Sequence, residues 1–263
     1  MYAKYEKLKA ILASYKRMIV AFSGGVDSSF LLKTAYDVLG ENVLAISLQT
    51  PYSAKWEMED ARCIADEMGA KHLIMSKPWI EAIQTNPENR CYLCKHALFS
   101  SLNAFAKERG FCVVAEGSNV DDTMEYRPGR KALEQLGIVT PLLEARLRKD
   151  EIRILSKELG LKTWNKPSYA CLLTRFAHNI LIEEEALDMV ERAEAYLISE
   201  TYAKMRVRYE HKMARIEMSK KDSLRLLNDE KYESIVATLK GFGFLHVMLD
   251  LEGYRYECST KGM

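Results

Sequence analysis

Two short stretches and one isolated residue carry the side chains of this sequence best suited to group-transfer chemistry. The first stretch is Ser23-Gly24-Gly25-Val26-Asp27-Ser28-Ser29, which follows an apolar run at 18–22 and precedes a helical pattern through Phe30, Leu31, Thr34 and Ala35. Glycines let a backbone approach a phosphate closely, and amides at a helix N-terminus point into the anion. Ser23, Ser28 and Ser29 add hydroxyl donors, whereas Asp27 beside a phosphate must orient the loop or help hold Mg²⁺. A Walker A loop would end in Gly-Lys-Ser/Thr; that lysine is missing, which disfavours hydrolysis at a γ-phosphate. The plainer alternative is a Gly-Gly turn followed by a Ser or Asp helix cap.

Sulfur is the second resource. Cys91-Tyr92-Leu93-Cys94 is a C-x-x-C pair, compatible with zinc, an iron–sulfur cluster or a dithiol, and no second C-x-x-C completes a Cys₄ zinc site. Cys171 stands in Pro167-Ser168-Tyr169-Ala170-Cys171-Leu172-Leu173-Thr174-Arg175, at an expected domain junction where clefts form. Cys91, Cys94 and Cys171 together could bind three irons of a 4Fe–4S cluster and leave the fourth open. Zinc completed by His96 or His178 is an alternative. Another is Cys171 alone as a thiolate nucleophile, its ionised form favoured by Lys166 and Arg175. Cys63 and Cys112 read as buried small hydrophobes, and Cys258 is assigned no role.

These residues need a frame. Apolar runs at 18–22, 43–48, 72–75 and 112–115 alternate with helical patterns at 2–16, 54–68 and 93–109. That rhythm predicts an α/β fold with a parallel twisted sheet flanked by helices. After Pro167 it changes: helices at 183–197 and 221–239, paired strands at 205–209 and 214–218, and a last strand within 243–251. The expectation is a nucleotide-binding domain over 1–174 and a smaller α+β domain over 175–263. The chain has 263 residues, 48% hydrophobic, enough for a real core. A net charge of +1 lacks the basic footprint of a nucleic-acid binder, so no nucleic-acid partner is expected. No run of about 18 apolar residues suggests a membrane span. The first 17 residues show no secretory core, which predicts a cytoplasmic protein. Its six cysteines then do not read as a disulfide framework.

The Ser-Gly-Gly-Val-Asp-Ser segment resembles the PP-loop of the N-type ATP pyrophosphatases, which cleave ATP to AMP and pyrophosphate. The segment Glu116-Gly117-Ser118-Asn119-Val120-Asp121-Asp122 resembles that family's second nucleotide-side loop, although Asp121 and Asp122 could simply cap the next helix. More narrowly, the words NPENRCYLCK, EGSNVDD, EYRPGRKAL, TPLLEARLRKDEIRILSKELGL and KPSYACLLTRF together resemble the LarE-type ATP-dependent sulfur transferases, in order and over nearly the whole chain. The resemblance implies an adenine nucleotide alpha hydrolase-like fold. It also implies adenylation of a carboxylate of pyridinium-3,5-biscarboxylic acid mononucleotide, with release of pyrophosphate and conversion to a thiocarboxylate, toward a nickel-pincer cofactor.

On that resemblance ATP and Mg²⁺ are held by Ser23, Gly24, Gly25, Asp27, Ser28 and Ser29 with Gly117, Ser118, Asn119 and Asp121. Arg127 contacts pyrophosphate or substrate, and Arg206 and Arg208, which strand alternation places on one face, hold a substrate phosphate, the plainer alternative being a solvated strand face. Glu194 and Glu217 match acidic, metal-binding positions near a subunit contact, although by residue type they read as exposed carboxylates. Some members sacrifice the sulfur of the cysteine matching Cys171, leaving dehydroalanine. Others carry three cysteines and resemble cluster-dependent enzymes. This chain has all three, so a 4Fe–4S cluster on Cys91, Cys94 and Cys171 is expected, together with a homo-oligomer. One departure stands beside Cys171: Ala177-His178-Asn179 replaces a Pro-Tyr-Gly-like turn. Rival readings are a tRNA thiolase, recognised by salt-sensitive tRNA binding, an amidating synthetase, indifferent to loss of the three cysteines, and a non-catalytic ATP-binding module that never releases pyrophosphate.

Overall fold

The computed structural model describes residues 1–124, 128–167, 169–202 and 204–254. The chain divides into two compact units, Met1–Ala82 with Asn89–Tyr169, and Ile83–Glu88 with Ala170–Met263.

The first unit begins with helix α1 (Tyr2–Ala13), strand β1 (Met18–Ala21), helix α2 (Val26–Leu39), β2 (Val43–Gln49), α3 (Lys55–Glu67) and β3 (His72–Ser76). It continues with α4 (Arg90–Glu108), β4 (Val113–Ala115), α5 (Pro128–Gln135), α6 (Pro141–Glu144) and α7 (Lys149–Glu158). All four strands are parallel, in the order β3-β2-β1-β4. Period-two alternation sends neighbouring side chains to opposite faces. Met18, Val20 and Ala45 join a core with Leu8, Phe30, Leu31, Ile152 and Leu155. Ile19 and Ile46 join a second core with Phe99, Leu102, Val114 and Leu133. Burial on both faces explains why the strands read as continuous apolar runs.

The first three strands step outward from β1, and α4 then carries the chain back to lay β4 on the other side of β1. That reversal opens a crevice at the carboxyl ends of β1 and β4, where open α/β sheets bind ligands. The loop at 22–25 leaves β1 there and the loop at 116–120 leaves β4.

The second unit comprises α8 (Glu184–Ser199), β5 (Met205–Glu210), β6 (Met213–Met218), α9 (Lys220–Leu227), α10 (Tyr232–Gly241) and β7 (His246–Leu249). β5 and β6 form the expected hairpin, its turn made by His211 and Lys212 at φ 48° and 61°, the geometry of a type I′ turn. β7 adds to β6 in parallel. The single helix expected over 221–239 is instead two. Ser219 caps α9 by accepting from the Asp222 amide (3.1 Å), and Asn228 Nδ2 ends it on the Leu224 carbonyl (2.7 Å). Asp229 then takes the Tyr202 hydroxyl (2.9 Å) and the Lys231 amide (2.9 Å), drawing the chain out of helix. Cys63 and Cys112 are exposed rather than buried. Cys63 lies on the outer side of α3, whose buried stripe is Ala61 and Ala65, and Cys112 just precedes β4.

Candidate active site

Gly24 sits at φ +67°, and a Cβ there would stand 3.0 Å from the Ala61 backbone, so the turn after β1 requires glycine. Ser23 and Ser28 tie the loop across itself through their hydroxyls (3.0 Å), and the Ser23 hydroxyl also accepts from the Gly25 amide (3.3 Å). Ser29 is buried, and its Oγ has no partner among the described residues. The loop delivers the chain into the N-terminus of the 14-residue α2, whose dipole favours an anion.

Gly117 brings the second loop against the first. A Cβ on it would meet the Ser28 amide nitrogen at 3.0 Å and the Asp27 backbone carbon at 3.2 Å. From this contact Asn119 reaches Asp27, its Nδ2 donating to Oδ1 (3.2 Å), while the other Asp27 oxygen takes the Lys149 ammonium. Burial raises the Asp27 carboxyl above its ordinary range, against the opposing pull of Lys149. Asp121 shows the reverse: the Lys149 amide (2.6 Å) and the Arg148 guanidinium (3.2 Å) hold it low. Asp121 thus positions the start of α7, and with it Lys149. The Ser118 amide donates to Glu116 (2.9 Å), and Lys95 lies 3.8 Å from the same carboxylate. Lys166 clamps the Gly24 carbonyl (3.2 Å) and Asp60 (3.0 Å).

The sequence-predicted loop residues Ser23, Gly24, Gly25, Asp27, Ser28 and Ser29 therefore meet Gly117, Ser118, Asn119 and Asp121 in one place. Arg127 lies outside the described residues, as does Cys258. Sequence reasoning gave Lys149 and Arg148 no role beyond a place inside a longer word of the resemblance, read Glu116 only as the start of the second loop, and read Lys166 only as a neighbour of Cys171. Mg²⁺ commonly takes one or two protein carboxylates and fills its shell with water and phosphate oxygens. Asp27 is one such carboxylate, already facing a cation in Lys149, so the donor set fits.

The cysteines are distributed differently. Cys91 and Cys94 lie three residues apart near the start of α4, which begins at Arg90, earlier than the expected 93. Cys91 is exposed. Cys94 hydrogen-bonds the buried Tyr52 hydroxyl (3.3 Å), and burial pushes its thiol up. Cys171 belongs to the second unit, exposed at the start of a single 3₁₀ turn, Leu172–Arg175. Among the described residues no three His, Cys, Asp or Glu side chains are grouped to hold a metal ion. Cys91 and Cys94 belong to the first unit and Cys171 to the second. Of the alternative zinc ligands, His96 packs on Tyr92 and His178 hydrogen-bonds the Asn86 carbonyl (3.2 Å).

Around Cys171 one expectation is corrected, the exposure of Glu194 and Glu217. Arg175 is 2% exposed and forms a two-pronged pair with Glu194, itself 1% exposed (2.9 and 2.8 Å). Arg175 also donates to the carbonyls of Ala170 (2.8 Å) and Cys171 (3.3 Å), so it shapes this backbone with its charge already answered by Glu194. Lys166 is committed to the first unit. Glu194 and Glu217 are buried, not exposed. Glu194 additionally accepts the Val207 amide (2.9 Å), and Glu217 takes Arg208 Nε (2.5 Å). The second Glu217 oxygen has no partner among the described residues. Arg206 and Arg208 share a face of β5 as alternation requires. Arg206 is buried over the Tyr254 ring (5.0 Å), while Arg208 is paired with Glu217 and the Thr174 carbonyl (3.1 Å).

Asn86 is a further residue that sequence reasoning left without a role. Fully buried at φ 51°, its amide donates to the carbonyls of Leu173 (3.2 Å), Phe176 (3.2 Å) and Ala177 (2.8 Å). It braces the loop that follows Cys171, where the Ala177-His178-Asn179 departure lies.

A family model described as NAD synthase matches residues 5–124. An uncharacterized protein of Synechocystis sp. is 41% identical over 96% of this chain and 95% of its own length. The pyridinium-3,5-bisthiocarboxylic acid mononucleotide synthase of Lactiplantibacillus plantarum is 34% identical over 96% of this chain and 92% of its own. One chain of the glutamine-hydrolyzing GMP synthase of Thermoplasma acidophilum is 30% identical over 67% of this chain and 62% of its own. The glycine turn after β1 and the parallel sheet flanked by helices match a PP-loop, adenine nucleotide alpha hydrolase-like fold. With this likeness spanning both units, the chain belongs to the family of the bisthiocarboxylic acid mononucleotide synthase, the LarE-type ATP-dependent sulfur transferases.

Proposed function

We propose that this chain adenylates a carboxylate of pyridinium-3,5-biscarboxylic acid mononucleotide and converts it to a thiocarboxylate, on the path to a nickel-pincer cofactor. The observation that carries the proposal is the close approach of Gly117 to Asp27 and Ser28, which joins the two loops at the carboxyl ends of β1 and β4, the place this reading assigns to the ATP phosphates. Chemistry demands the nucleotide, because a carboxylate oxygen leaves poorly whereas AMP leaves readily from a mixed anhydride. The helix α2 terminus and the loop hydroxyls receive the pyrophosphate, and Asp27 faces the cation that travels with it. Mg²⁺, when bound, neutralises charge on the phosphates.

Cys171 supplies the sulfur in this reading. Its thiolate attacks the acyl carbon, the C–S bond forms, and AMP leaves with the electrons of the C–O bond. A base then removes the Cys171 α-proton, the Cβ–S bond breaks, and the thiocarboxylate departs with its electron pair, leaving dehydroalanine. Arg206, with Arg208, is assigned the substrate phosphate, and Arg127 a pyrophosphate or substrate contact. Residues 1–174 carry the nucleotide chemistry, and 175–263 the substrate and contacts of a homo-oligomer. The cytoplasm, where ATP and reduced thiols coexist, suits this chemistry.

A second reading, a 4Fe–4S cluster on Cys91, Cys94 and Cys171, is favoured by the two thiols three residues apart on α4. Its three ligands are divided between the units, Cys91 and Cys94 in the first and Cys171 in the second, and no step is derived through it. Single turnover with intact-mass measurement, beside anaerobic iron and sulfide analysis, separates the two. Loss of one sulfur and two hydrogens from Cys171 supports sacrifice, whereas stoichiometric iron and sulfide with unchanged mass supports the cluster. Under either, Cys171→Ala keeps substrate-dependent pyrophosphate release and stops sulfur transfer, whereas Asp27→Ala stops both. Full turnover on ammonia without the three cysteines would instead mark an amidating synthetase.

A further inference from the structure

Lys149 is the first residue of α7, and its ammonium lies on Asp27 Oδ2 although the two are 122 positions apart in the chain. Its backbone is anchored: the Lys149 amide donates to Asp121 Oδ2 (2.6 Å), and Arg148 holds Oδ1 of the same carboxylate (3.2 Å). The side chain is not enclosed, being 32% exposed, so its tip can leave Asp27 while its root stays fixed. Asp27 faces Asn119 Nδ2 on its other oxygen and the negative charge of Asp122 nearby. Lys149 is thus the cation that answers Asp27 in this structure, at the mouth of the loop that follows β1.

We infer that Lys149 is a place-holding cation. It occupies the Asp27 carboxylate until the divalent ion of Mg²⁺–ATP arrives, then yields that carboxylate and moves to the pyrophosphate oxygens. The inference rests on the reading of this loop as the seat of the pyrophosphate end of ATP. Two cations and one carboxylate set its logic. An empty loop with an uncompensated, partly buried Asp27 would bind stray divalent ions, and an ammonium tethered one side chain away competes with them. Once phosphate is present, the same ammonium has a better partner, because a charge-assisted bond to a phosphate oxygen replaces the one surrendered. Lys149 therefore couples metal binding to phosphate binding and acts as a positioning residue for Asp27.

The test is the pair of affinities in Lys149→Met, which keeps the stem and removes the charge. Mn²⁺ without nucleotide, followed by electron paramagnetic resonance of the unbound ion, should bind about tenfold tighter than in wild type, the scale of one charged hydrogen bond removed. Magnesium pyrophosphate, followed by calorimetry, should bind about tenfold weaker. Lys149→Arg should lie near wild type for Mn²⁺. Opposite signs in one variant are the signature, since a merely structural lysine would weaken both. Unchanged Mn²⁺ affinity with weaker pyrophosphate would leave Lys149 a phosphate ligand only and overturn the exchange. Weakening of both in a variant of wild-type thermal stability would also overturn it. Wild-type protein that binds no magnesium pyrophosphate would instead remove the loop reading and the inference with it.

Discussion

Asp27 shows how a single residue is made useful at a cost to the fold. Burial raises its carboxyl above the ordinary 3.8, so the folded chain holds this proton more tightly than the unfolded one. Stability from such a group is present below that ordinary value and is lost as pH rises through the folded value. At neutral pH the ionised side chain therefore works against folding, relieved in part by Lys149. Asp27→Asn should accordingly melt no lower than wild type at pH 7, while substrate-dependent pyrophosphate release falls by about a hundredfold or more. A clearly lower melting temperature would mean that the Lys149 pair outweighs the burial. Gly117 gives a sharper case. Gly117→Ala drives a methyl against the Ser28 nitrogen and the Asp27 carbon, both backbone atoms that cannot turn aside. Overpacking of this kind costs roughly 1–3 kcal/mol. The expected result is both a lowered melting temperature and a weakened Mg²⁺–ATP affinity by calorimetry, since the two loops must part.

At the scale of elements, the segments that hold the site matter more than their lengths. The segment Ile83–Glu88 lies between β3 and α4 in sequence yet belongs to the second unit, through Asn86. Asn86→Ala strands three carbonyls of the loop after Cys171, and should lower unfolding free energy in urea by about 3 kcal/mol. Asn86→Asp tests the cause: it keeps a side chain tolerant of the left-handed backbone but offers no donor, and should be no better than alanine. If it restores stability, shape rather than hydrogen bonding is what Asn86 contributes. The break between α9 and α10 follows the same logic of local polar groups competing with helix. Helical periodicity across 221–239 is genuine, but the Asn228-Asp229 carboxamide and carboxylate capture backbone groups that a continuous helix would need.

At the scale of the whole molecule, charge buried within each unit sets how the chain responds to mutation and pH. Arg175 and Glu194 are almost fully enclosed in the second unit, so Glu194→Gln leaves a guanidinium without its counter-charge and should cost about 3–5 kcal/mol in denaturant unfolding. Replacing both by apolar residues of similar volume, Arg175→Met with Glu194→Leu, should recover most of that loss. In the first unit, His72 hydrogen-bonds Ser47 Oγ (2.8 Å) beside the Phe22 ring, and burial lowers its pKa from 6.5. A depressed base contributes stability above its unfolded value that disappears as pH falls through the folded one. Thermal stability should thus decline on acidification below about pH 6.5, with a component missing in His72→Asn.

The amino-acid sequence alone determined what local geometry dictates. Ser23-Gly24-Gly25 announces a turn that only glycine can make, short continuous apolar runs announce strands, and Met205 to Met218 announces a hairpin, because each depends on residues a few positions apart. What depended on topology was invisible there. The return of the chain through α4 decides that β4 lies beside β1, and only then do Gly117 and Asn119 meet Asp27, with Lys149 reaching Asp27 from 122 positions away and Lys166 reaching Gly24 from 142. The burial of Glu194 and Glu217 and the exposure of Cys63 and Cys112 were misjudged for the same reason. Residue type sets what an atom prefers, whereas the packing of distant elements sets whether water reaches it.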